Sequence, residues 1–256
     1  MSQITLVSLN LRGTADSWLR RREQLVAQLI DTEADLMAVQ EVAMLFGQGR
    51  WLRNQINYRL SGSAQQPYQL VVSRRTNLLH GLVEGVGILS RLPVIAHDRL
   101  ALAAGRVAAR ANVLLPSGET LDLVTVDLHN VAAEPQVREE QVNELIGWLY
   151  DRNPVAHQVI AGTFREAPTG AAIRRMKQVY RSAFAEANGR EPLATFPTAL
   201  HETAGQGVCH DYIFVSKAIR RVLNAHLCCH RPDATDDRLF PSAHVGIWTG
   251  LDVGDA

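Results

Sequence analysis

The chain is short of several things, and each shortage narrows what it can be. Its 256 residues include three cysteines, Cys209, Cys228 and Cys229, which form no spaced framework. That excludes a disulfide scaffold and fits a reducing compartment. Neither charge is in excess, with 26 Lys plus Arg against 26 Asp plus Glu. No global basic field therefore announces a nucleic-acid partner, although local patches could still hold one. No apolar run approaches the ~20 residues that cross a bilayer, and no charged segment followed by an apolar stretch opens the chain. Internal repeats and Pro/Gly/Ser-rich linkers are also missing. The expectation is a single domain over 1–256, soluble and cytoplasmic.

What the chain does contain is strands. ITLVSLN (4–10) is apolar and β-branched with a polar tip, and DLMAVQE (35–41) ends in a carboxylate. Further apolar segments at 68–73, 85–90, 107–115, 121–128, 157–162, 211–216, 222–229 and 245–251 read as strands. The segment PSGE joins two of them as a hairpin. Helical spacing marks 17–32, with Ser17 or Asp16 as its cap, then 134–151, and less clearly 169–187. About ten strands with few helices suggest two packed sheets with helices outside, an α/β (α+β) sandwich rather than a doubly wound parallel sheet.

Polar residues gather at the strand tips: Asn10, Glu41, His129 with Asn130, the loop TFR at 163–165, Asp211 and His244. Strand ends fix position while the tip reaches solvent, so chemistry is often mounted there. Singly, each has a bland reading as a turn former, surface charge or strand cap.

Taken in order, SLNLRG, DLMAVQEV, GVGILSRLPV, VDLHN, IAGTFREAP, HDYIFVS and PSAHVGI resemble the signature of the endonuclease/exonuclease/phosphatase superfamily. The resemblance runs from residue 4 to about 251. It implies a DNase I-like four-layer sandwich of two mixed β-sheets flanked by helices. It also implies a hydrolase of phosphoric esters, assisted by Mg2+ or Mn2+. In such a site Glu41 is the chief metal ligand, helped by Asn10, a hard oxygen set of the kind magnesium accepts. His129 contacts the phosphate or leaving group, with Asn130 beside it, and His244 stabilises the transition state, oriented by Asp211.

Three positions depart from that pattern. The family loop G-D-F-N is GTFR here, and the family S-D-H is SAH. Thr163 cannot serve as a base near neutral pH, and Ala243 can neither hold a metal nor position His244. Losing a carboxylate at 163 and another at 243, and gaining a cation at Arg165, leaves the site three units more positive than the family pattern. That opposes a metal ion and favours an anion, for which a guanidinium is well suited. Two outcomes follow: the cleft binds a phosphate-type anion without magnesium, or Arg165 pairs internally with Glu41 and fills the metal's place. Hydrolysis is then weak or lost. The alternatives are an active phosphodiesterase or nuclease using a shifted base (Glu166, a solvated loop charge, or Asp127 or Asp122), and a non-catalytic interaction protein.

Two other features carry less. His226, Cys228, Cys229 and His230 could mean zinc, but strand alternation would send the adjacent cysteines to opposite faces and no C-x2-C spacing is present. The GxG of EGVGILS precedes no helix and is no nucleotide loop. The substrate, whether DNA, RNA, lipid or inositol phosphate, and the oligomeric state are not written in the sequence. NLRG followed by a Trp-containing helix is similar to the DNase-like toxin subunits.

Overall fold

A computed structural model describes residues 3–76, 83–151, 155–201 and 206–254. Two six-stranded sheets pack face to face. The first contains β1 (Gln3–Asn10), β2 (Leu36–Ala43), β3 (Gln69–Arg74), β4 (Glu84–Ser90), β11 (Arg221–Cys228) and β12 (Gly246–Asp252), in the order β11-β12-β1-β2-β4-β3. The second contains β5 (Val94–Leu102), β6 (Arg106–Leu114), β7 (Thr120–Asp127), β8 (His157–Thr163), β9 (Arg181–Ser182) and β10 (Asp211–Val215), in the order β5-β6-β7-β8-β10-β9. Each sheet is antiparallel apart from one central parallel pair, β1–β2 and β7–β8.

Alternation along the strands builds the layers. Ile4 and Leu6 of β1, Leu36 and Ala38 of β2, Leu121 and Leu123 of β7, Val159 and Ala161 of β8, and Ile213 of β10 fill the space between the sheets. Their alternates face outward. Val7, Leu9, Met37 and Val39 pack with Leu25, Leu29, Leu52 and Ile56 of α1 (Trp18–Asp31) and α2 (Gln48–Arg59). On the other side Val124, Val126, Ile160 and Phe214 pack with Val142, Leu145, Ile173 and Met176 of α3 (Pro135–Asp151) and α4 (Ala171–Val179). This is the expected four-layer sandwich. The β7–β8 contact is so close at Gly162 (φ 154°) that a Cβ there would lie 2.0 Å from the Val126 carbonyl oxygen, so only glycine fits.

Five details differ from the sequence reading. Helix α2 and edge strand β5 were not anticipated. The first buries little beyond Gln48, Gly49, Leu52 and Ile56, and the second alternates irregularly with mostly exposed residues. The helix expected over 169–187 is two, α4 and α5 (Ala183–Asn188), because Tyr180 turns extended and β9 intervenes. Ser17 does precede α1, but its backbone is left-handed and its side chain makes no capping bond. Asp16 instead accepts a hydrogen bond from Arg12 Nε (3.1 Å). Finally, Cys229 leaves β11 with φ 51°, so alternation breaks and both cysteines enter the same outer apolar cluster instead of opposite faces. All three cysteines are free thiols. No helix among the described residues is long and apolar enough to cross a membrane.

Candidate functional site

The inward-facing series on several strands ends in polar residues at one end of the sandwich. Asn10 closes β1, Asp127 closes β7 and Thr163 closes β8. The antiparallel β10 opens with Asp211 at the same end, paired with Thr163. Glu41 would point outward by strict alternation. A register shift in β2 between Val39 and Val42, with φ 47° at Glu41, turns its carboxylate toward Asn10 instead. Arg165 (φ 56°) is likewise left-handed. Left-handed non-glycine residues are uncommon, and here both partners of one ion pair adopt that conformation.

One half of the site is a hydrogen-bonded relay around Asp211, which is fully enclosed. Its Oδ1 accepts from Thr163 Oγ1 (2.7 Å), and its Oδ2 accepts from Thr195 Oγ1 (2.6 Å) and faces His244 Nδ1 (2.8 Å). Burial works against this carboxylate's charge, but His244 and the two hydroxyls hold its pKa below the ordinary value. The backbone N–H groups of His210 and Asp211 donate to Thr195 Oγ1 (2.9 and 3.1 Å). His244 is buried, and its Nε2 has no hydrogen-bond partner among the described residues. The Phe196 ring lies 4.6 Å from the His244 imidazole, centroid to centroid, and also stacks with His210 at 5.6 Å. Burial lowers the pKa of His210 to about 4.

Asn10 and Thr163 join this relay to the second half. Asn10 Nδ2 donates to both Thr163 Oγ1 and Glu41 Oε1, each at 3.1 Å, and its Oδ1 accepts from the Arg12 N–H (2.9 Å). The second half is a lattice of carboxylates and guanidiniums. Glu41, Glu84 and Asp127 each offer an oxygen within 4.8 Å of the others. Arg165 Nη2 is hydrogen-bonded to Glu41 Oε1, and its Nε donates to Asp127 Oδ1 (3.0 Å). Arg75 Nη2 bridges Glu84 (2.8 Å) and Asp127 Oδ2 (3.1 Å), Arg106 Nη1 also pairs with that Oδ2, and Arg12 Nη1 lies 3.7 Å from Glu41 Oε2. Burial alone would raise the pKa of Asp127, but Arg165, Arg106 and Arg75 bring it down to about 2. Asp127 and Glu41 in turn outweigh burial at Arg165 and keep its guanidinium firmly protonated. Glu84 is pushed up to about 7 by burial and by Asp127, against the pull of Arg75.

Three clustered carboxylate oxygens are the donor chemistry that a hard cation takes. These oxygens, however, are already engaged by Arg165, Arg75 and Arg106, and the Asn10 oxygen by a backbone N–H. The donor set is one a divalent ion could take, with the Arg165 guanidinium lying across Glu41 and Asp127 in this structure.

Sequence similarity agrees with this architecture. The family model described as "Endonuclease/Exonuclease/phosphatase family" matches residues 7–244. The chain belongs to that family. Among solved structures, the endonuclease/exonuclease/phosphatase from Bacteroides vulgatus superposes with a TM-score of 0.78 at 16% identity, covering 99% of this chain and 100% of that one. The human Nocturnin catalytic domain with bound sulfate anion gives 0.77 at 18%, covering 98% and 93%. Truncated Caenorhabditis elegans TDP2 gives 0.78 at 15%, covering 98% and 97%. At these identities the likeness concerns the fold. No curated protein sequence matches the chain significantly.

Of the family positions, Asn10, Glu41, Thr163, Arg165, Asp211 and His244 are brought into one connected network. His129 is not joined to it. Its Nε2 pairs with Glu134 (2.7 Å) at the start of α3, and neighbouring Asn130 is exposed. Ala243 is fully buried, its carbonyl accepting from the Thr198 N–H (2.8 Å).

The candidate substitute bases fare differently from their reading in the sequence. Glu166 is no solvated loop charge. It is buried, and its Oε1 accepts from the Ala171 N–H (2.9 Å) at the start of α4. Asp122 sits with Asn112 (2.7 Å) and Arg110 (3.3 Å), apart from this network. Asp127 is in the site, but three guanidiniums hold its proton affinity low.

Sequence reasoning missed Arg12, Arg75, Glu84, Arg106 and Thr195 as site residues. It also missed Arg21, which is fully buried and donates to the carbonyls of Leu11, Gly13, Ala15, Asp16 and Pro241, fixing the loop that carries Arg12. Only Arg12, two residues beyond Asn10 in LNLRG, had a local signal.

Proposed function

We propose that this family member binds phosphate-type anions in a cleft where a guanidinium stands in the divalent ion's place, so that phosphoester hydrolysis is weak or lost. One observation carries the reading: the Arg165 guanidinium bridges Glu41 and Asp127. A tethered cation occupies the carboxylates that would otherwise draw a metal, and Thr163 supplies a hydroxyl where the family loop has its aspartate. Without a positioned base, hydrolysis typically loses ~10²–10⁴-fold. The roles of His129, Asn130, Asp211 and His244 toward a phosphate belong to this proposal.

Charge balance supports a modest anion site. Arg12, Arg75, Arg106 and Arg165 face Asp16, Glu41, Glu84 and Asp127, four against four. With Glu84 titrating at about 7, protonation leaves a positive surplus near neutrality. A phosphate would compete with the carboxylates for Arg165 and Arg12, whose side chains are 16% and 22% exposed. Nocturnin, of the same fold, is named with a bound sulfate anion.

Calorimetric titrations with magnesium, and with inorganic phosphate in a chelator, test the reading. Phosphate should bind without metal and weaken on Arg165→Gln. Stoichiometric, tight magnesium binding to the unaltered protein would sink it.

A second reading is favoured by the Glu41–Glu84–Asp127 cluster, whose oxygens could hold a cation if Arg165 swung away. That protein would be a metal-dependent phosphodiesterase. Hydrolysis of a bis-aryl phosphodiester with magnesium or manganese, abolished by His244→Ala, would establish it. In the first reading, Thr163→Asp, Arg165→Asn and Ala243→Asp together should create that activity.

A further inference from the structure

The segments that follow β1 and β2 also carry strongly exposed apolar side chains. Leu19, Leu45 and Phe46 are 72%, 68% and 69% exposed. Phe46 and Leu19 border a cavity of about 570 Å³, whose remaining walls are Thr14, Ser17, Trp18 and Arg20. Beyond the same loop lies a second depression with Arg50, Arg53 and Arg74 in its wall. Arg53 donates to Asn54, and among the described residues none of these three arginines forms an ion pair. Three carboxylates on this side are already neutralised: Asp16 by Arg12, Glu23 by Arg59, and Asp236 by Arg20.

The result is an exposed apolar tip, Leu45–Phe46, with the cavity beside Leu19 on one side and, on the other, three arginines that form no ion pair among the described residues. Exposed apolar groups grouped in this way mark an interaction surface. Basic side chains flanking them match a negatively charged lipid surface, where each Lys or Arg adds attraction and the apolar side chains enter the headgroup–acyl boundary. We infer that this face docks onto an anionic phospholipid bilayer. Leu45, Phe46 and Leu19 insert, and Arg50, Arg53 and Arg74 meet the lipid headgroups. Because the face springs from the strand tips that hold Asn10 and Glu41, docking would bring the cleft close to the membrane plane.

Sedimentation with phosphatidylcholine vesicles, with and without phosphatidylserine, tests this using the full chain at physiological salt. Binding is expected only to the phosphatidylserine vesicles, and should weaken as salt rises. Phe46→Ser should lower affinity about tenfold, and each of Arg50→Gln, Arg53→Gln and Arg74→Gln about fivefold, with the melting temperature unchanged. No binding to the anionic vesicles, or binding undiminished by these substitutions, overturns the inference. So does a concentration-dependent dimer, or a protein partner's complex, that Phe46→Ser abolishes without any vesicle binding. All these residues lie outside the cleft network, so this inference can fail while the reading of the cleft stands, and the reverse.

Discussion

The two halves of the cleft hang from the same strand tips yet stabilise buried carboxylates by different means. Asp211 is balanced by one histidine and two hydroxyls, a compact arrangement in which hydrogen bonds do much of the work. Asp127 is balanced by three arginines that reach it from β3's end, the start of β6 and the loop after β8. In the relay half Asp211 and His244 match the pattern read from the sequence and Thr163 does not; in the arginine half Glu41 matches it and Arg165 does not. The cations of the arginine half are tethered to the chain. A carboxylate inside a protein needs compensation from somewhere, and this molecule shows two solutions sharing Asn10 and Thr163.

The sharpest way to break that comparison is to make the same isosteric change in each half. Asp127→Asn leaves Arg106 without its carboxylate and removes one of two from Arg75 and Arg165, and should cost ~3–5 kcal/mol of stability in urea denaturation. Asp211→Asn weakens charge-assisted hydrogen bonds to one histidine and two hydroxyls and should cost less, ~1.5–3 kcal/mol. The reverse order would mean that Asp127's partners are not compensating it.

Acid titration of stability separates the halves next. His210, beside the relay, is held neutral down to about 4 against an ordinary 6.5. Between those values His210 binds more protons in the unfolded chain, so its contribution to stability should fall as pH drops from 6.5 toward 4, while Glu84, raised to about 7 in the folded chain, contributes in the opposite direction over much of that range. Asp127 and Asp211 have pKa values below the ordinary 3.8, Asp127 at about 2. Their contribution is fully present above 3.8 and is lost as pH falls through the lowered values. His210→Phe should remove the opposing histidine contribution, so that the variant gains stability relative to the unaltered protein as pH falls from 6.5 toward 4, and should leave the lower step in place, as monitored by thermal melts across the range.

The smallest effect is expected at the joint. Thr163→Val removes one hydroxyl between Asn10 and Asp211 and should cost ~1 kcal/mol. A cost as large as that of Asp127→Asn would show the halves acting as one unit.

The relay was the more legible half in the sequence, for a physical reason. Its residues sit at tips of strongly apolar strands, where a lone Asp or His stands out against the pattern. The pairing of Arg165 with Glu41 could also be anticipated, because exchanging an amide for a guanidinium beside a carboxylate changes the charge balance. Arg75 and Arg106 gave no such warning, since an arginine at the start or end of a strand reads as solvated. Thr195 lies in an irregular segment 16 residues before Asp211, where no periodicity says which way a side chain points. The bulge at Glu41 was equally hidden, as VQEV reads as an uninterrupted strand.

Arg21 sets a limit of a different kind, one of timing. Its guanidinium joins Leu11, Gly13, Ala15 and Asp16 to Pro241, 220 residues away. β1, the first of the twelve strands described, finds one of its two neighbours in β12, the twelfth. Contacts of such sequence separation close late. During synthesis β1 must wait, half-partnered, until Pro241 and β12 have emerged, and the rim of the cleft can lock only then.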